Sequence, residues 1–194
     1  MKIFTQTFKI FTLATALFGM SSGVMGQVLS EKFTDLTGDN TSSTGSSTSW
    51  SGNNNFPTVE KAYNAGGAVK LGTSSAKGSI TSKSLDLSSN NGGIRVVFDV
   101  KGWTGIEGSI NVSIVGGEQK TISYTSLMSS LAFETKEVIF TTGGTTSTQI
   151  KFETTAKRAF LDNIKIYSYS ADDPWLSSPS TLGFASMPVN TSKY

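Results

Sequence analysis

The sequence predicts an all-β chain: a two-sheet antiparallel jelly-roll sandwich of about nine strands, preceded by a signal peptide. Three observations predict it. From Gln27 onward the apolar residues alternate at the period of two that a strand imposes, and no long stretch carries the i, i+3, i+4, i+7 signature of a helix. Turn-forming clusters punctuate that alternation at Asn90-Asn91-Gly92-Gly93, Gly116-Gly117 and Gly143-Gly144. The first 26 residues have a different composition from the rest.

That leader has Lys2 and Lys9 as a positive start and a short apolar run from Ile10 to Met20, with small residues at Val24 and Gly26 ahead of Gln27. The competing reading is a membrane anchor, but the apolar run is well short of the ~20 residues that span a bilayer. No later segment is apolar enough to do so, so no membrane insertion is expected after signal cleavage.

The strands expected in order are Val28–Phe33, Ala68–Leu71, Ile94–Trp103, Ser109–Val115, Thr121–Tyr124, Lys136–Thr141, Gln149–Glu153 and Arg158–Tyr167. Ser79–Thr81 with Leu85–Leu87 adds a further one. Phe98, Val100, Ile110, Val112, Ile114, Val138, Phe140, Ile150, Phe152, Phe160, Ile164 and Ile166 are expected to share one core. Thr37 to Ser49 is Ser/Thr-rich, cannot bury much, and reads as a long surface loop. Composition changes again after Ala171. Residues 172–194 read either as a linker leading into an immunoglobulin-like module, of the kind strung along secreted proteins, or as a ragged tail. The expected organisation is therefore a signal peptide over 1–26, a sandwich over 27–171 and the linker segment over 172–194.

Composition removes many functions. The chain holds 16 basic and 14 acidic residues. Lys2 and Lys9 belong to the leader, so the remainder is balanced and has no general attraction for nucleic acid or anionic lipid. There is no cysteine, which excludes disulfides and thiolate metal sites. There is no histidine, which excludes Ser-His-Asp and Cys-His nucleophilic sites and imidazole zinc centres. Catalysis is left to carboxylates, as in glycoside hydrolysis, yet no spacing singles out a pair.

Two sets of side chains stand out. At period two, Phe160, Asp162, Ile164 and Ile166 share a face, which sets Asp162 in a core-facing row; Leu29, Glu31 and Phe33 repeat the pattern near the other end. Buried carboxylates need a cation, strong donors or a metal. One solution is a calcium ion held by Glu31 and Asp162, helped by the Asp35, Asp39, Asn40 cluster or by main-chain carbonyls near Lys70. The other is pairing of Asp162 with Arg158 or Lys165, Arg158 being on its own face, or with backbone amides. The second set is aromatic: Trp50, Phe56, Tyr63 and Trp175 lie in polar, loop-like stretches. Trp103 ends a strand on the face it shares with Asp99 and Lys101. A flat ring flanked by hydrogen-bonding side chains suits a sugar face, which makes Trp103, Trp50, Asp99 and Lys101 the candidate ligand-binding residues. The alternative is that the tryptophans plug the ends of the core.

The order of a short strand with Glu31, a Ser/Thr-rich loop with Trp50, Val69-Lys70-Leu71-Gly72, Gly78-Ser79-Ile80-Thr81 and a closing Arg158-Ala159-Phe160-Leu161-Asp162-Asn163-Ile164 resembles the galactose-binding-like jelly rolls. The resemblance spans Val28 to Tyr169, and the closing strand is its most specific part. It implies a secreted module of the carbohydrate-binding type, with a structural calcium joining the first and last strands at Glu31 and Asp162. The expectation is thus an exported, non-catalytic module that binds a carbohydrate or cell-surface glycan or serves adhesion, alongside further β-sandwich modules in a longer protein. Its rivals are a purely structural or protein-binding sandwich and a small glycan-active hydrolase with paired carboxylates.

Overall fold

The computed structural model describes residues 26–105, 107–130 and 132–170. The expected signal peptide, apart from Gly26, and the expected linker segment with Trp175 lie outside the described residues. Eleven strands are described, in chain order: β1 (Gln27–Glu31), β2 (Thr58–Glu60), β3 (Ala62–Asn64), β4 (Val69–Leu71), β5 (Ser79–Thr81), β6 (Ile94–Gly102), β7 (Ser109–Ile114), β8 (Gln119–Ser123), β9 (Glu134–Phe140), β10 (Ile150–Thr154) and β11 (Ala159–Ser168). One sheet runs β3-β4-β11-β6-β9, with β1 continuing the β4 position alongside the second half of β11. The other runs β2-β5-β10-β7-β8. Every ladder in both is antiparallel, so the two-sheet jelly roll expected from the alternation is the fold the chain adopts. Among the described residues no helix is long and apolar enough to cross a membrane.

The core forms between the sheets because each central strand sends alternate apolar side chains inward. Ile94, Val96, Phe98 and Val100 of β6 are fully buried while Arg95, Val97 and Asp99 face out. Ile110, Val112, Ile150 and Phe152 answer them from the facing sheet. Phe56, Phe98 and Phe152 meet edge to face at 5.3 to 6.3 Å, the arrangement that ring quadrupoles favour. Full burial of each such side chain stabilises by about 1.5–3 kcal/mol.

Strands β2 and β3 went unforeseen because each is three residues long. They are separated by Lys61, whose backbone is left-handed (φ 47), and so show no sustained alternation. Leu85–Leu87 forms no strand; Leu85 makes one bridge to Thr148, and both leucines are buried.

One expectation is corrected and one sharpened. First, period two does not run unbroken through β11. Asp162 pairs with Asp99 and Lys165 with Val97, so β11 carries one residue more than β6 over that interval. This bulge centres on Asn163, which takes φ 47. The phase reverses across it: Ala159 and Leu161 face the inter-sheet core before the bulge, Ile164 and Ile166 after it. Asp162, opposite the outward Asp99, therefore stands on the outer face, and Phe160 lies there too, in a separate buried cluster. Second, the Ser/Thr-rich segment is the mostly exposed surface loop expected, but it is tied to the outer face rather than free. Ser46 is fully buried, and the segment lies across that outer cluster.

Candidate functional site

Register assembles an unusual row on the outer face of the β3-β4-β11-β6-β9 sheet. Tyr63 lies opposite Lys70, Lys70 opposite Phe160, and Phe160 opposite Lys101. Cations thus alternate with rings. Lys70 Nζ sits 4.4 Å from the Tyr63 ring and 5.1 Å from Trp103, and Lys101 Nζ is 4.5 Å from Phe133 and 5.8 Å from Phe160. Trp103 stacks on Phe160 at 5.9 Å with planes 10° apart, and the Arg158 guanidinium lies 4.4 Å from its ring centre. Ala65, Ala68, Met128 and Phe133 complete this second, smaller core.

Its lysines are buried, 8 % exposed for Lys70 and 0 % for Lys101. Lys70 Nζ donates to the Ser46 carbonyl. Lys101 Nζ donates to Asn40 Oδ1 at 2.7 Å and to the Ser130 carbonyl at 3.0 Å. Burial pushes both amines below the ordinary lysine range; Arg158 pushes Lys70 further down, and Asp39 partly restores Lys101. Arg158 bonds Glu107, which is 1 % exposed, at 3.1 Å.

The ligand-binding candidates therefore do different jobs. Trp103 and Lys101 are brought together, but within this packed cluster. Trp50 is partly buried on the main core, edge-on to Phe33 at 5.5 Å. Asp99 is apart from both tryptophans in a polar group: it accepts from Thr135 Oγ1 at 2.6 Å and from Asn163 Nδ2 at 2.8 Å.

Glu31 and Asp162 are near enough for the charge of one to act on the other, but they lie on either side of the β11 bulge. Glu31 lies opposite the inward Ile164, whereas Asp162 faces out. Glu31 Oε1 accepts the backbone N–H groups of Lys32 and Phe33 at 3.1 and 3.0 Å, and Oε2 accepts the Asn53 and Asn55 amides at 2.8 and 3.0 Å. Four donors satisfy this carboxylate in this arrangement. Asp162 Oδ1 takes the Asn163 N–H at 2.6 Å, the backbone-amide solution. Burial, then the charges of Asp99 and Glu31, push its carboxyl up to about 6 against the pull of that bond. Arg158 pairs with Glu107 rather than with Asp162. Among the described residues no three acidic side chains gather as a metal site.

Sequence reasoning missed the outer face of the other sheet. Thr58, Thr81, Lys151 and Ser113 lie in one cross-strand row, and Glu60, Ser79, Glu153 and Asn111 in the next. Lys151 and Glu153 form an ion pair at 2.6 Å. A groove of about 570 Å³ is lined by Thr58, Glu60, Thr81, Gln149, Lys151 and Val115, and one of about 450 Å³ adjoins it beyond Val115 beside Gly117, Glu118 and Thr145. Val115, 50 % exposed, stands between them. The available signal was the polar half of the alternation in β5, β7 and β10, which reads as ordinary solvent-facing surface.

No protein-family profile matches the chain. No curated protein matches it in sequence. Solved structures do resemble it in fold. The module CBM1 of BiXyn10A is 12% identical, with a TM-score of 0.45, over 74% of this chain and 100% of that one. A mutant of the family 29 carbohydrate-binding module CBM29-2, complexed with mannohexaose, is 17% identical with a TM-score of 0.43 over 76% and 97% of the two chains. The CBM35 of Paenibacillus barcinonensis is 16% identical with a TM-score of 0.43 over 56% and 90%. Likeness at this level identifies neither a ligand nor a site; those rest on the side chains of this chain.

Proposed function

We propose that the domain is an exported, non-catalytic module that binds a carbohydrate through the polar outer face of the β2-β5-β10-β7-β8 sheet. The observation that carries the reading is the pair of adjoining grooves that meet at Val115. Hydroxyl, amide, carboxylate and ammonium groups at strand spacing match the repeating donors and acceptors of a sugar chain, and the Val115 side chain supplies a small apolar contact. Without a large ring in the grooves, affinity per site should be micromolar to millimolar, useful mainly when modules are linked. The test is a glycan-array screen followed by calorimetry. Lys151→Ala should weaken binding about tenfold, equivalent to about 1.4 kcal/mol, while Trp103→Ala, in the packed cluster, should leave affinity unchanged. Loss of binding in Trp103→Ala with intact folding, and none in Lys151→Ala, would move the site to the other sheet.

Calcium belongs to this proposal at Glu31 and Asp162, with Asp99 the further carboxylate whose charge acts on Asp162. Like charges directly opposite across strands repel, and the Asn163 amide, 2.8 Å from Asp99 and 3.3 Å from Asp162, relieves this only in part. The second reading is a structural or protein-binding sandwich. It is favoured by the engagement of both Trp50 and Trp103 in packing, and a glycan screen without hits would support it.

A further inference from the structure

Lys101 differs from the lysines at the surface. Lys120, Lys136 and Lys151 each pair with a glutamate. Lys101 is wholly buried, and among the described residues no carboxylate forms an ion pair with it. A buried ammonium bonded only to neutral oxygens and packed against rings is costly to keep charged, so burial lowers the cost of shedding its proton, with Asp39 opposing in part. The group it meets is an acyl donor. Asn40 Oδ1 lies 2.7 Å from Nζ, and the far side of the same amide is fixed by Nδ2 donating to the Gly66 carbonyl at 2.8 Å. Phe133 and Phe160 pack around the amine and exclude competing water.

We propose that Lys101 and Asn40 close an intramolecular isopeptide bond. The Nζ lone pair attacks Asn40 Cγ, a bond forms between Nζ and Cγ, and the bond from Cγ to Nδ2 breaks. One Nζ proton passes to the departing nitrogen, which leaves as ammonia; the proton that the lysine ammonium first shed goes to water and joins the freed ammonia as an ammonium ion. Nothing is oxidised or reduced, and no co-reactant enters. Asp39, whose charge reaches Lys101, is the carboxylate available to relay the proton. The bond would fasten the Ser/Thr-rich segment to β6 across 61 positions of a chain that has no cysteine. It is independent of the glycan reading.

The test is mass spectrometry of the purified full chain, allowing for any removal of N-terminal residues. The expected mass is lower than that of the sequence by one ammonia, and trypsin should yield residues 33–61 joined to residues 96–120, uncut after Lys101. Lys101→Arg and Asn40→Ala should each restore the full mass. An unmodified wild-type mass, or linear peptides ending at Lys101, overturns the proposal whether or not the variants fold. Loss of ammonia without the branched peptide overturns it too, since the loss then lies at another asparagine.

Discussion

The two buried regions of this domain obey different rules. Between the sheets, Phe98, Phe152, Ile110 and their neighbours form an apolar interior supplied by strand alternation. On the outer face of one sheet, Phe160, Trp103 and Phe133 form an interior that includes Lys70 and Lys101 and is closed by a polar segment. The first is held by removing apolar area from water, which requires only the right period and roughly the right volume. The second depends on cation–ring contacts and on main-chain and amide oxygens placed to receive buried ammonium groups. It therefore specifies how the loops lie more than it contributes to total stability.

The widest separation between the regions should appear on truncation. Phe152→Ala removes a fully buried ring that contacts Phe56 and Phe98, and should cost about 3–5 kcal/mol in urea denaturation. Trp103→Ala, in the smaller cluster where the partner lysines can rehydrate, should cost about half as much. Equal losses would mean that the two regions unfold as one packed unit.

This difference also explains what was legible in the sequence. Nine expected strands, the ninth over Ser79–Thr81 alone, and all twelve expected core residues as buried positions, followed from alternation, because the inter-sheet core is made by alternation. Phe160 was placed in the wrong core, and Asp162 on the wrong face, because Phe160-Asp162-Ile164-Ile166 looks continuous while the bulge at Asn163 shifts its phase. The adjacent Asp162-Asn163, two residues that avoid strand interiors, was the local sign of irregularity. The outer cluster was not legible at all. Its members are brought together by cross-strand register and by a distant segment, neither of which leaves a periodic trace. The placement of Trp103 on the face of Asp99 and Lys101 was read, but not that this face would be covered.

Replacing the bulge residue sharpens the comparison at the point where the two regions share a strand. Asn163 combines a left-handed backbone with an amide between Asp99 and Asp162. Asn163→Val, β-branched and poorly suited to positive φ, should cost about 2 kcal/mol. Asn163→Gly keeps the conformation and loses only the amide, and should cost less. If valine and glycine are equally tolerated in chemical denaturation, the strand does not need the bulge to switch Leu161 and Ile164 into the same core.

The smallest expected effect is electrostatic and concerns Asp162, the carboxylate that the phase reversal moves to the outer face. Its folded pKa is raised to about 6 by burial and then by Asp99 and Glu31, against an unfolded value near ~3.9. The native state therefore holds this proton more tightly than the unfolded chain. The contribution is fully present below about pH 4 and is lost as pH rises through about 6. Because the side chain is half-buried, solvent screening reduces the effect to about 1 kcal/mol. Asp162→Asn should remove this slope, so that the variant gains on wild type between pH 4 and pH 7. Calcium should raise the wild-type melting temperature at pH 7, above the Asp162 value of about 6, and much less at pH 4.5, where Asp162 is protonated. A wild-type stability that climbs over that interval in parallel with Asp162→Asn would show that the outer face already holds the Asp162 charge without strain. With no calcium response at either pH, the ion would then have no role there.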